Sequence, residues 1–144
     1  MKTIILALTL LATIFIVFAC KQPRYAAENL PEKRIYWGSG GGYTGRETNY
    51  LLLENGQMFM QTHETGDSVA EIAGTKPKLA GQIFKTAESL RLGEVDFQHP
   101  GNIYSFVGVL KNNAVHRITW GERNMPVDPN IQDLYRQLSD LVKK

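Results

Sequence analysis

One apolar run at the N-terminus decides which part of this chain can fold as a domain. Residues 4–19 are apolar apart from Thr9 and Thr13, Lys2 precedes them, and the run ends at Cys20, the only cysteine. This layout is typical of a secretory signal segment, which does not belong to a folded core. The rest of the chain contains no cysteine, so its domain cannot hold a disulfide and must be stabilised by its core alone.

The last residues of the run carry a recognisable pattern. Val17-Phe18-Ala19-Cys20 resembles the lipobox of bacterial lipoproteins. The resemblance implies cleavage before Cys20, transfer of a diacylglycerol to its thiol, and acylation of the new amino terminus by a fatty acid such as palmitate. The membrane would then be held through Cys20. Lys21 follows where an aspartate favours the inner membrane in some bacteria, so the outer membrane is the expected location.

An uncleaved membrane anchor is the alternative interpretation of this run. Its length of about 16 apolar residues is close to the lower limit of about 17 for a membrane-spanning helix. Both interpretations put the domain on the same side of the membrane, because Lys2 tends to stay cytoplasmic. The domain is therefore expected in the cell envelope outside the cytoplasm, periplasmic or surface-facing.

The chain divides into three parts. Residues 1–19 are the expected signal peptide, residues 20–33 the lipidated cysteine and a tether, and residues 34–144 a single domain. The tether is expected because residues 21–33 are polar and unpatterned and are interrupted by two prolines. Without Lys2, 15 of the 16 basic side chains remain against 14 acidic ones, a balance that does not favour nucleic acid as a partner.

The hydrophobic periodicity of the domain predicts an α+β fold in the order strands, helix, strands, helix. We expect an antiparallel sheet of about five strands in two hairpin units, with both helices on one face. The first hairpin should turn at Asn55-Gly56 in a type I′ conformation, and the second at Asn112-Asn113, since asparagine tolerates positive φ. The five glycines within residues 38–45 are expected to end the first strand.

The helices and the strand faces can also be predicted from residue spacing. The first helix should start after Thr75 as its N-cap and stop near Gly93, and the second should start at Asp128. The apolar stripe of the first helix is Leu79, Ile83, Ala87 and Leu90, and that of the second is Ile131, Leu134, Tyr135, Leu138, Leu141 and Val142. Period two puts Ile35 beside Trp37 and Ile118 beside Trp120, so we expect both pairs to be buried.

The glycine run is also the first candidate for a binding site. Gly40, Gly42 and Gly45 satisfy the spacing G-x-G-x-x-G, but the residues after them have a strand pattern, whereas dinucleotide binding requires a helix there. A flexible connection explains the glycines equally well. The functional hypothesis is that backbone amides at Gly41 and Gly42, with the side chains of Tyr43 and Arg46, bind an anionic or carbohydrate-like group.

Catalytic patterns are weak in this sequence. No serine has the G-x-S-x-G setting of a nucleophile elbow, and His63, His99 and His116 match no metal motif. A hydrolase would have to assemble from distant residues such as His63, His116 and Glu122. We therefore predict no metal, no cofactor and no enzymatic activity.

The sequence predicts a small membrane-anchored envelope lipoprotein with a non-catalytic binding or envelope-maintenance role. Its expected partners are the membrane, through Cys20, and an envelope protein. Two alternatives stay open. One is a small-molecule or anion-binding protein that uses the loop at residues 40–46, and the other is an envelope hydrolase.

Overall fold

The central feature of the fold is a seven-stranded sheet. A computed structural model describes residues 22–62 and 68–143 of the chain. Within these residues the strands are β1 (Arg34–Gly41), β2 (Glu47–Leu53), β3 (Met58–Thr62), β4 (Ser68–Ile72), β5 (Gln98–His99), β6 (Ile103–Lys111) and β7 (Ala114–Trp120). Their order across the sheet is β4-β3-β2-β1-β6-β7-β5. The long strand β1 is therefore central, between β2 and β6.

Two helices complete the fold, α1 (Pro77–Ser89) and α2 (Pro129–Leu141), with a short 3₁₀ turn (Leu92–Glu94) between α1 and β5. The predicted α+β class and the order strands, helix, strands, helix are confirmed. The sheet differs from the prediction of about five antiparallel strands, because β5 pairs parallel to β7 and makes it mixed. A strand of two residues is too short to show a period in the sequence.

The main core lies between the helices and one face of the sheet. Ile35, Trp37 and Ile118 are fully buried there, as predicted. Trp120 is half-buried against the same core, and its indole makes an edge contact with Tyr135 of α2 at 5.2 Å between ring centroids. The predicted stripe of α2 is confirmed, since Ile131, Leu134 and Leu138 are buried and its other members pack beside them.

The first helix departs from the prediction at both ends. Lys76 occupies the N-cap position, without a side-chain bond, and Thr75 lies before it. The helix stops at Ser89 rather than near Gly93, because Arg91 adopts a left-handed conformation with φ of 51°. Leu79 is exposed; the buried face comprises Ala80, Ile83, Phe84 and Ala87.

The two hairpin turns lie where predicted, but the first has another conformation. The Gly56 amide donates to the Leu53 carbonyl at 3.0 Å, and only Gly56 of the pair has positive φ, 87°. This is a type I turn followed by a glycine bulge, not type I′. Asn112 and Asn113 have φ of 51° and 60°, which is the left-handed pair that a two-residue hairpin requires.

Strand β1 continues through most of the glycine run, contrary to the prediction that glycines would end it. Gly38 and Gly40 pair with Phe106 and Tyr104 of β6. A Cβ atom on Gly38 would lie 2.7 Å from the Phe106 ring, and one on Gly40 would lie 2.6 Å from the Tyr104 hydroxyl. These glycines stay in the strand because neighbouring aromatic rings occupy the space of their side chains.

The expected tether is packed against the domain. In the described part of residues 20–33, the side chains of Tyr25 and Leu30 pack on the sheet face opposite the helices, over Tyr36, Leu51, Leu53 and Phe59. The amide of Tyr25 donates to Oε1 of the buried Gln57, and Nε2 of Gln57 donates back to the Tyr25 carbonyl. Apolar side chains within a polar, proline-containing segment explain the difference, because they cover a second small core.

The chain approaches the sheet at one particular end. We call the end at the register pair Arg34–Leu53 the lower end, and the end at the pair Gly41–Ile103 the upper end. The Asn55 side chain in the β2–β3 turn donates to the Pro23 carbonyl at 2.7 Å. The N-terminal segment is therefore fixed at the lower end of the sheet.

Candidate functional site

The glycine loop, residues 42–46, forms the upper end of the sheet between β1 and β2. Its backbone amides are engaged within the protein. Gly41 donates to the Arg46 carbonyl at 3.2 Å, Gly42 to the Asn102 carbonyl at 2.7 Å, and Gly45 to the Gly42 carbonyl at 3.2 Å. The anion cradle suggested by the sequence is therefore not formed by the amides of Gly41 and Gly42.

The loop needs glycine for its shape. Gly41, Gly42 and Gly45 have φ of 94°, 72° and 61°, a region that residues with a side chain rarely adopt. A Cβ atom on Gly41 would also lie 2.1 Å from the Asn102 carbonyl oxygen. The glycines that resembled a binding motif thus let the β1–β2 connection lie against the start of β6.

The side chain of Tyr43 lies on the outside of this loop and is exposed to solvent. Its side chain is fully exposed (108%), and Ile103, which pairs with Gly41, is 69% exposed. Trp37 lies away from both, 1% exposed beneath the helices and stacked on Tyr50 at 5.4 Å. Trp37 and Tyr43 therefore do not line a common pocket, and we call the exposed pair Tyr43 and Ile103 the tip.

A polar network that the sequence reasoning missed lies on the helix-free face near the tip. The Arg117 guanidinium lies 4.0 Å above the Phe106 ring and binds both oxygens of the Glu47 carboxylate at 3.0 Å. The Tyr104 hydroxyl donates to the same carboxylate at 2.8 Å. One sequence signal could have predicted this network. Glycines at alternate positions of β1 match aromatic residues at alternate positions of β6.

The network shifts the pKa of one of its groups, the Tyr104 phenol. The hydrogen bond to Glu47 raises the pKa of the Tyr104 phenol, and burial adds to the effect. Paired arginine and carboxylate groups in bidentate geometry are strong and directional. Because Arg117 reaches from β7 to Glu47 on β2, the network joins side chains of β2, β6 and β7 across β1. Such contacts stabilise the sheet.

The two described candidate catalytic residues, His116 and Glu122, do not converge. The His116 ring bonds the Val95 carbonyl through Nε2 at 2.8 Å on the helix side of β7. Glu122 follows the upper end of that strand, with its carboxylate 3.7 Å from His99, and His63 lies outside the described residues. In residues 22–62 and 68–143, no three His, Cys, Asp or Glu side chains are grouped as metal ligands.

A cleft of about 370 Å³ opens at the lower end of the sheet, far from the tip. Its apolar floor is formed by side chains of β1, α1, the 3₁₀ turn and β6: Ile35, Phe84, Ala87, Leu92 and Val109. Its other lining residues include Lys33, Arg91 and Lys111 with Glu32, Glu88 and Glu94, whereas the guanidinium of the lining residue Arg34 lies over the Tyr36 ring on the helix-free face. Apolar clefts with a few polar groups at the edge are the usual form of small-molecule sites.

Lys33 ties this cleft to the N-terminal segment. Its ammonium group lies 2.7 Å from Glu54 and 2.8 Å from Glu88, and the hydrogen bond to Glu54 is the main cause that raises its pKa. Lys33 also lines a smaller cavity of about 210 Å³ whose wall includes Gln22 and Pro23. The cleft and the first described residues of the chain are therefore neighbours.

Cys20, the expected lipidation site, lies outside the described residues. In the described part of the chain, no helix combines the length and apolar character that crossing a membrane requires. In comparisons with known proteins, no protein-family model matches this chain and no curated protein matches its sequence.

Proposed function

We propose that this protein is a lipid-anchored envelope protein whose small domain is non-catalytic and presents its tip to a protein partner. The observation that carries the proposal is the exposure of two large apolar side chains, Tyr43 and Ile103, at the end of the sheet opposite the N-terminal attachment. Aromatic residues are typical anchors of protein interfaces.

The arrangement of the N-terminal segment supports this orientation. Cys20 precedes Pro23 by three residues, which an extended chain spans in at most about 11 Å. Pro23 is itself bonded to Asn55 at the lower end. A lipid on Cys20 would therefore hold the lower end close to the membrane surface, and the tip would point away from it, beyond the about 23 Å length of β1.

The other functions considered have less support. Anion binding at residues 40–46 would have to use the side chains of Tyr43 and Arg46, because the amides of Gly41 and Gly42 donate to carbonyl groups. A hydrolase required His116 and Glu122 to meet in a cleft, and they lie in separate contacts with Val95 and His99. A binding role of the tip needs neither condition.

Photocrosslinking in living cells tests the proposed role of the tip. We expect a photoreactive phenylalanine derivative at position 43 to give a protein adduct of discrete mass, and Ile103→Ser to reduce its yield severalfold. The matched control is position 115, because Val115 is also an exposed apolar residue (47%) but lies near the lower end. Equal adducts at both positions, or none at position 43, would contradict the proposal.

A further inference from the structure

We propose that residues 22–30 form a releasable strap, which sets how far the tip can reach from the membrane. The strap precedes β1, and its apolar side chains pack on the helix-free face of the sheet. This inference rests on the proposed function, because the strap limits the reach of the tip only if Cys20 carries the lipid. Release of the strap does not itself require a lipid, so the two can be tested separately.

The strap is separate from the secondary structure of the domain. Residues 22–30 are all described and contain no strand or helix, and the bond from the Asn29 amide to the Ala26 carbonyl, 3.0 Å, is internal to them. The sheet runs from β4 to β5 without a strand from this segment. The main core lies on the other face, against the helices. Release of the strap would therefore leave the strand pairing and the main core intact.

The main polar attachment of the strap is the carboxamide of Gln57, a residue that is 6% exposed. Its Oε1 accepts from the Tyr25 amide at 2.8 Å and from Asn55 Nδ2 at 2.6 Å. Its Nε2 donates to the Tyr25 carbonyl at 3.1 Å and to Glu71 Oε1 at 3.0 Å. All four hydrogen-bonding positions of the carboxamide are thus occupied. Because two of them bind the backbone of Tyr25, the strap is fixed in one register.

The other attachments of the strap are exposed or half-buried. Arg24 pairs with Glu71, and their side chains are 75% and 40% exposed, so this ion pair contributes little to stability. The apolar side chains of the strap, Tyr25, Ala27 and Leu30, are each half-buried. A segment with few buried contacts and exposed bonds can open locally while the rest of the domain stays folded.

The surface beneath the strap keeps the docked form predominant. Tyr36, Leu51, Leu53 and Phe59 are at most 5% exposed while the strap covers them. Release brings part of this apolar surface into contact with water, which is unfavourable. The released form is therefore a minor population of the free protein. A partner that holds the tip farther from the membrane binds the released form better and shifts the population towards it.

The two forms differ in the length of chain between the lipid and the domain. In the docked form, Pro23 is bonded to Asn55, and three residues from Cys20 span at most about 11 Å. In the released form the link ends at Leu30, whose carbonyl accepts from Arg34 Nη1 at the start of β1. Ten residues from Cys20 to Leu30 span at most about 36 Å. Release thus extends the reach of the tip by up to about 25 Å.

Hydrogen–deuterium exchange tests whether the strap opens by itself. The sample is the full chain, processed in a bacterial host and reconstituted in phosphatidylcholine nanodiscs, with exchange resolved at the Tyr25 amide. We expect this amide to be protected, but at least about tenfold less than the slowest amides of β1. Equal protection would mean that the strap opens only together with the sheet, and no protection would mean that it is not docked. Either result would overturn the inference.

Substitution of Gln57 tests the attachment itself. Gln57→Met keeps the length of the side chain but removes both bonds to Tyr25, so it should lower the protection of the Tyr25 amide about tenfold. Gln61→Met is the matched control on β3, because the Gln61 side chain bonds Asn49 and not the strap. It should leave this protection unchanged.

Tyr25→Ser keeps the test valid if Gln57→Met disturbs the β2–β3 turn, because it changes the strap alone. The amide at position 25 should again lose protection, while the slowest amides of β1 keep theirs. If neither Gln57→Met nor Tyr25→Ser lowered the protection relative to Gln61→Met, the inference would be wrong.

Energy transfer measures the reach in the same nanodiscs. Thr44, exposed in the glycine loop, is replaced in Thr44→Cys and labelled with a donor, and the acceptor is a labelled phospholipid. Cys20 is the only natural cysteine, so in the lipidated protein position 44 offers the only thiol. We expect lower transfer with Gln57→Met than with Gln61→Met. Faster exchange with unchanged transfer would overturn the reach and the lower-end membrane attachment of the proposed function, whereas unchanged exchange would overturn the strap alone.

Discussion

At the scale of single residues, Arg117 joins strands that are distant in the sequence. Its side chain starts on β7, covers the Phe106 ring and reaches the Glu47 carboxylate across β6 and β1. This path is open because Gly38 and Gly40 have no side chains on that face. Stacking and bidentate pairing both require the planar guanidinium, so lysine could not replace arginine here without loss.

Tyr104 gives this network a measurable pH dependence. Because the Glu47 hydrogen bond raises the phenol pKa in the folded protein above its ordinary value of 10.0, the unfolded chain releases this proton first. The stabilisation is therefore fully present below about pH 10 and is lost as the pH rises through the folded-state pKa. We expect ultraviolet titration of the six tyrosines to show Tyr104→Phe lacking a late-titrating phenol.

Glu47→Gln provides the control for this titration. The neutral amide keeps an oxygen acceptor but removes the charge that disfavours tyrosinate, so Tyr104 should titrate at lower pH than in the unmodified protein. If Tyr104→Phe instead removed one of the earliest phenols to titrate, the assigned bond between Tyr104 and Glu47 would be wrong.

At the scale of elements, the central segment β1 forms a strand because of the strands that pair with it, and not because of its own composition. Glycine in a strand interior is unfavourable because it loses much backbone entropy and offers no side chain to pack. In β1 the rings of Phe106 and Tyr104 fill the missing positions from β6. The strand is therefore stable only in the assembled sheet.

Substitution of Gly38 tests this account of β1. A Cβ atom there would lie 2.0 Å from the Thr48 carbonyl oxygen and 2.7 Å from the Phe106 ring. We expect Gly38→Ala to lower the free energy of unfolding by about 1–3 kcal/mol, the usual cost of overpacking. Urea unfolding followed by the fluorescence of Trp37 and Trp120 measures it.

A glycine-to-alanine substitution in α1 is expected to change the free energy of unfolding in the opposite direction. Gly81 is a helical glycine whose added Cβ atom would have nothing within 4 Å, so Gly81→Ala should raise the free energy of unfolding by about 0.5–1 kcal/mol. If Gly38→Ala and Gly81→Ala changed the free energy of unfolding equally, the aromatic rings of β6 would not be the reason that β1 requires glycine.

These elements also show what the sequence could and could not predict. Local signals were sufficient for α2, where Asp128 caps the helix and accepts a bond from the Asn130 amide, and for the positions of both hairpin turns. The length of β1 and the network at Glu47 depend on residues more than 50 positions apart in the sequence. No local period encodes such contacts, so five glycines were interpreted as a break.

At the scale of the whole molecule, the two ends of the sheet differ in character. The lower end carries the attached N-terminal segment, the cleft and the ion pairs of Lys33, and the upper end carries the exposed pair Tyr43 and Ile103. Residues 20–33 are predicted to contain a tether because residues 21–33 are polar, but in the described part of this segment Tyr25 and Leu30 cover apolar side chains of the sheet. The site residues predicted from the glycine run lie at the upper end, where only Tyr43 belongs to the tip, and the periodicity of the sequence does not predict the cleft.

We propose that Cys20 carries a lipid which holds the lower end of the domain at the membrane. The most direct measurement is the accurate mass of the full-length protein, expressed in a bacterium with lipoprotein processing and extracted from its envelope. We predict the mass of residues 20–144 plus an acylated glyceride, with the modification on the N-terminal peptide. The mass of the uncleaved chain, residues 1–144, would contradict the claim and support a membrane-anchoring helix.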